Sequence, residues 1–117
     1  MQAITTTAQL QHLLAAAQEQ RQTVLLDFTA SWCGPCKAMA PVVHEIARVY
    51  SAQFVVATVD IDTAERALVD HFQVSSVPLF LFIHNGKVVH VVRGKKEDEV
   101  KLTAAIMAKT THTELLP

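Results

Sequence analysis

The chain has 117 residues, half of them hydrophobic, with ten basic and eleven acidic side chains and a formal net charge of −1. That length suits one domain with a real core, and the near balance of charge leaves no basic stripe for a nucleic-acid partner to read. No apolar stretch reaches membrane-span length without a charge or turn. No basic and then apolar leader opens the chain, so the expected setting is a reducing compartment, the cytoplasm first, with an organelle left open.

In chain order, Gln2 to Ile4 fits a short strand. Thr7 to Gln20 is rich in Ala, Leu and Gln and places Leu10, Leu13, Leu14 and Ala17 at helical spacing. Val24 to Thr29 is apolar almost throughout, as in a strand covered on both faces of its sheet. The next helix sets Ala38, Met39, Val42, Val43, Ile46 and Val49 on one face, and Pro41 inside it predicts a kink rather than an end. Phe54 to Ile61 reads as a second buried strand. Asp62 predicts an N-cap, with Glu65 three residues on, for a helix reaching about His71. Leu79 to Ile83 and Lys87 to Val92 flank Asn85-Gly86, a dipeptide suited to a type I′ turn, and predict a hairpin. Lys95 to Lys109 closes the chain as a helix with Val100, Leu102, Ala105 and Ile106 inward, and Thr110 to Pro117 is expected to fray. Strands alternating with helices, then a hairpin and a last helix, imply one α/β domain over 1–117. Its core would be a mixed central sheet of four to five strands flanked by helices on both faces.

The chemistry concentrates at Trp32-Cys33-Gly34-Pro35-Cys36, directly after an apolar strand, and these are the only two cysteines. A Cys-x-x-Cys pair at a strand-to-helix junction brings both sulfurs within bonding reach and points to thiol–disulfide exchange. With Cys33 at the helix start, free backbone N–H groups and the positive end of the helix dipole favour its thiolate, the attacking species. Pro35 is tolerated in the first turn, where its missing N–H has no intrahelical partner. The expected division is Cys33 exposed and nucleophilic, Cys36 shielded and resolving.

Asp27 sits mid-strand in a doubly covered sheet. Burial should raise its pKa, which lets it exchange a proton with Cys36; the competing reading makes it a cap for a backbone group at the strand end. Val77-Pro78 precedes the hairpin. A cis bond there would present Val77 as a docking edge for an extended peptide, although the residues alone favour a trans turn.

Asp27-Phe28-Thr29-Ala30-Ser31-Trp32-Cys33-Gly34-Pro35-Cys36-Lys37, followed by Pro41, Val59-Asp60-Ile61-Asp62, Val77-Pro78, Asn85-Gly86-Lys87 and Gly94, resembles the thioredoxin family from about Leu10 to Ala108. The resemblance implies the thioredoxin fold and a cis Pro78 lying against a Cys33–Cys36 redox disulfide. It also implies a docking surface of Trp32, Gly34, Pro35, Val77, Pro78 and Gly94. The implied activity is thiol-disulfide oxidoreduction: reduction of client-protein disulfides by a monomer with no bound cofactor, recycled by a reductase that draws on NADPH. Gly-Pro between the cysteines is what the reducing members carry.

There are departures from the family pattern. Leu79 follows the presumed cis-proline where many members have Thr. Neither Thr58 nor Ala40 is the Lys that members often place near the buried Asp, so Asp27 should hold its proton more readily here. Arg93-Gly94-Lys95-Lys96-Glu97-Asp98 is more charged than usual around its Gly, an expected influence on partner choice.

Other readings compete. Zinc needs four ligands and would have to borrow histidines. His44 lies beyond Pro41, while His12, His71 and His112 read as solvated or helix-end residues. A two-residue loop at Asn85-Gly86 sets His84 opposite Lys87 and His90 opposite Leu81, which sends the two imidazoles to opposite faces. A binding module of the same fold would use the surface around Trp32 and Val77 without turnover. An oxidase or isomerase would differ in redox poise.

Overall fold

The structure, a computed structural model, describes the backbone of residues 1–114 and the side chains of residues 1–110. In chain order the elements are β1 (Gln2–Ala3), α1 (Thr7–Glu19), β2 (Thr23–Thr29), α2 (Gly34–Val49), β3 (Phe54–Asp60), α3 (Arg66–His71), β4 (Leu79–His84), β5 (Lys87–Arg93) and α4 (Glu97–Glu114). The strands form one five-stranded mixed sheet in the order β1-β3-β2-β4-β5. β2 runs parallel to β3 and antiparallel to β4, and β5 is antiparallel to β4.

Strand alternation sends residues to two cores. Val24, Leu26, Phe28, Leu79, Leu81 and Ile83 meet Leu10, Leu13 and Ala17 of α1 and Leu68 of α3 on one face. Leu25, Phe80, Phe82 and Val92 meet Met39, Val43 and Ile46 of α2 and Val100 and Ala104 of α4 on the other. Each fully buried Phe or Leu contributes about 1.5–3 kcal/mol by leaving water, so β2 and β4, covered on both faces, anchor the fold. The helix α2 continues through Pro41 to Val49, as expected. The hairpin is also as expected: Asn85 and Gly86 both take positive φ (52° and 75°), the type I′ signature.

Four expectations need correction. Asp62 does not cap α3. The Thr63 and Ala64 N–H groups turn back onto the Asp60 carbonyl (3.2 and 2.9 Å), and the helix opens only at Arg66. Glu65 is held outside the helix because its N–H donates to the Thr5 carbonyl (2.8 Å) and its carboxylate accepts from the Thr7 N–H and hydroxyl (3.1 Å each).

His84 and His90 do not point to opposite faces. A β-bulge inserts Val89, so His90 opposes Phe82 and shares the α2/α4 side with His84. His90 Nε2 lies 3.0 Å from Glu99 Oε2, and His84 Nδ1 lies 3.2 Å from Thr23 Oγ1. Among the described residues no group of three His, Cys, Asp or Glu side chains is arranged for a metal ion.

In α2, Ala38 and Val49 face solvent, and the inward stripe is Cys36, Met39, Val42, Val43 and Ile46. In α4, Leu102 and Ile106 are 62% and 54% exposed, while Val100, Ala104 and Ala108 face the sheet. Val100, Ala104 and Ala108 stand at i, i+4 and i+8 on one face of the helix, which leaves Leu102 and Ile106 on the outer face. The helix also begins two residues later than expected and continues past Thr110 to Glu114; the His112 side chain and residues 115–117 lie outside the described residues.

Candidate active site

Sheet order assembles the site. The parallel strands β2 and β3 end at one edge of the sheet, where β4 begins and β5 ends. In register, Thr29 lies beside Asp60, Phe28 beside Leu79, and Leu79 beside Arg93. Segments Ala30 to Cys36, Ile61 to Asp62, Val77 to Pro78 and Gly94 therefore meet along that edge, although up to 64 residues separate them in the chain.

Cys33 is the N-cap of α2, with extended backbone (φ −87°, ψ 105°), and Pro35 lies in the first turn. The Cys36 N–H donates to Cys33 Sγ at 3.1 Å, so one orphan donor of the helix start points at the sulfur. Cys33 and Cys36 are joined as a disulfide. Their exposures depart from expectation: Cys33 is 3% and Cys36 7% exposed. Ile61 and Val77 pack against the pair together with Ala30, so both sulfurs are shielded in the oxidised form.

Asp27 shares the α2-facing side of β2 with Leu25 and is 8% exposed. Burial alone pushes its carboxyl from an ordinary 3.8 up to about 7. Among the described residues no backbone N–H donates to the Asp27 carboxylate, which counts against the backbone-cap alternative. A cavity of about 270 Å³ opens beside it, lined by Asp27, Thr58 and Asp60 on the sheet and by Cys36, Lys37, Ala40 and His44 on α2. Thr58 and Ala40 thus line the same cavity as the carboxyl. His44, in sequence an ordinary polar helix position, lies at this cavity too.

Of the remaining named residues, Val77 packs against the disulfide. Trp32 is 67% exposed, and its indole N–H donates to Asp62 Oδ2 at 2.8 Å. Gly34 and Pro35 are exposed and Val77 is half-buried. The Val77–Pro78 bond is cis, as the resemblance implied. Pro78 is buried, and its carbonyl accepts the Gly94 N–H at 2.9 Å. Gly94 has φ +87°, a conformation that favours glycine.

Sequence reasoning misses two residues of this constellation, Ile61 and Asp62. Both stand in the Val59-Asp60-Ile61-Asp62 stretch, but the local signal at Asp62 is that of a helix cap, and the cap does not form.

The thioredoxin family model matches residues 3–108. A thioredoxin-1 of Drosophila yakuba is 43% identical over 86 residues, covering 74% of this chain and 77% of that protein. An H-type thioredoxin of Picea mariana is 37% identical over 102 residues, covering 86% of this chain and 80% of that protein. Among solved structures, the thioredoxin of Fasciola hepatica superposes with a TM-score of 0.83 at 32% identity, covering 92% of this chain and 99% of that one.

Proposed function

The chain belongs to the thioredoxin family, protein-disulfide reductants that work through their own redox-active disulfide, and from that premise we propose how its own residues carry the reaction. In the dithiol form, the Cys33 thiolate attacks one sulfur of a client disulfide. That bond breaks, the other client sulfur leaves as a thiolate, and a mixed disulfide with Cys33 forms. Asp27 then takes the proton of Cys36, directly or through water in the adjoining cavity. The Cys36 thiolate attacks Cys33 Sγ, releases the second client thiolate and closes the Cys33–Cys36 disulfide. Two electrons have passed to the client, and a reductase drawing on NADPH returns them.

Trp32, Gly34, Pro35, Val77, Pro78 and Gly94 supply the surface on which the client segment lies. The working unit is a single domain over 1–117, acting as a monomer in the cytoplasm, where a dithiol is kept reduced between turnovers.

The observation that carries this reading is the Cys33–Cys36 disulfide at the start of α2, backed by a carboxyl with a pKa of about 7. Trapping tests it. A Cys36→Ser variant should accumulate a mixed disulfide through Cys33 when offered an oxidised client, and a Cys33→Ser variant should not. The reverse pattern would exchange the two roles. Full cellular function in the double serine variant would replace turnover by adaptor binding.

A further inference from the structure

The four strand ends that build the site do not carry equal charge. At the β3 end stand Asp60, whose Oδ1 accepts the Asp62 N–H at 2.9 Å, and Asp62, which holds the Trp32 indole. At the β5 end stand Arg93, Lys95 and Lys96, on either side of Gly94 and all three exposed. None of these three cations has an ion pair among the described residues. The acids that follow them are mostly engaged: Glu97 pairs with Lys101 at 3.1 Å and Glu99 with His90 at 3.0 Å, which leaves Asp98. On the other side, Lys37 lies near Asp60 at the cavity, and the Glu65 carboxylate is bonded to Thr7. The order β3-β2-β4-β5 sets the two groups three strand spacings apart, about 14 Å, with Cys33 and Pro78 between them.

We infer that this edge sorts disulfide clients by charge, favouring those whose docking segment carries acidic residues on the side that lands at Arg93, Lys95 and Lys96. The inference rests on the reductant reading above and names the client class of that same site. The separation exceeds the screening length at physiological salt, about 8 Å, so a client meets the acidic and basic ends as distinct patches rather than as a cancelled pair. The Gly94 N–H bond to the Pro78 carbonyl fixes the basic segment against the loop where a client lies. Charges placed beside a docking line act on encounter and register more than on the chemical step.

The test uses three disulfide peptides that differ only in the residues on the side that lands at Gly94: acidic, neutral and basic. Each is mixed with the reduced protein in single turnover, followed by Trp32 fluorescence. At low salt the acidic peptide should be reduced about tenfold faster than the basic one, within the range of electrostatic steering, and the gap should close at high salt. In the Arg93→Glu, Lys95→Glu, Lys96→Glu variant the order should invert while the neutral peptide keeps its rate. The milder Lys95→Gln, Lys96→Gln pair should narrow the gap without inverting it. Equal rates for all three peptides with the wild-type protein, or an unchanged order in both variants, would overturn the sorting and leave the reductant reading standing. Failure to reduce even the neutral peptide would overturn both.

Discussion

Asn in place of Asp27 removes one ionisable group and little else, so its effect can be worked from the structure. The carboxyl titrates at about 7 when folded against 3.8 ordinarily. The raised folded pKa means that the native state keeps a proton the unfolded chain has lost. The stability from that proton is complete below pH 3.8 and is lost as pH rises through 7. At 1.36 kcal/mol per pKa unit, ionising the buried group costs the folded protein about 4 kcal/mol by pH 8. About 1.7 kcal/mol of that is already present at pH 5, because the unfolded chain is ionised there. Asp27→Asn should therefore be more stable than wild type at pH 8, and its advantage should shrink by about 2.5 kcal/mol on going to pH 5. Urea unfolding of both oxidised proteins at several pH values measures that difference, in which the other titrating groups cancel. A difference that stays constant with pH would refute the burial argument. The same variant should lengthen the life of the mixed disulfide, since Cys36 loses its proton acceptor; resolution at the wild-type rate would refute Asp27 as the base.

Thr58→Lys puts a cation in register beside Asp27 and into the same cavity, so it should lower the Asp27 pKa by about 1–3 units; carboxyl-carbon NMR against pH reads the shift directly. Leu102→Ser and Ile106→Ser should each change stability by less than about 0.5 kcal/mol, as both side chains point outward. Ala104→Leu, on the buried face of the same helix, should cost about 1–3 kcal/mol through overpacking. Denaturant midpoints distinguish these faces, and a large loss from the Leu102 and Ile106 changes would mean that α4 packs by the opposite face.

Local chemistry was legible in the sequence, and tertiary competition was not. Asn85-Gly86 specified its turn because the positive φ values are a property of those two residues. The strand over Thr23–Thr29 was legible because burial on both faces needs an unbroken apolar run, and Asp27 stood out as the residue that breaks it. The bulge at Val89 was not legible: Lys87-Val88-Val89-His90-Val91-Val92 alternates in no way that marks the extra residue. One unmarked insertion moves His90 across the sheet. Asp62 carried a sound local cap signal, but Glu65 bonds to Thr5 and Thr7, on either side of the α1 N-cap about 60 residues earlier. In α4 the size of a side chain is a poor guide to its burial. The helix seats Val100, Ala104 and Ala108 and leaves the larger Leu102 and Ile106 outside.

In the proposed cycle, the stability cost at Asp27 and the chemistry at Cys36 have one origin. A base that must take a proton when a client is reduced, and return it when the disulfide is reopened, works best with a pKa near the ambient pH. The Asp27 carboxyl reaches that value by being desolvated, and the same desolvation is what destabilises the folded protein above neutral pH. A lysine at Thr58 or Ala40 would lower that cost and, by the same interaction, weaken the base. With neither present, the carboxyl faces a cavity lined by Thr58, Ala40, Lys37 and His44. Trp32 and Val77, on the proposed docking surface, do not line that cavity. Stability and the resolving rate should accordingly move in opposite directions when the charge near Asp27 is changed, with Thr58→Lys gaining the first and losing the second.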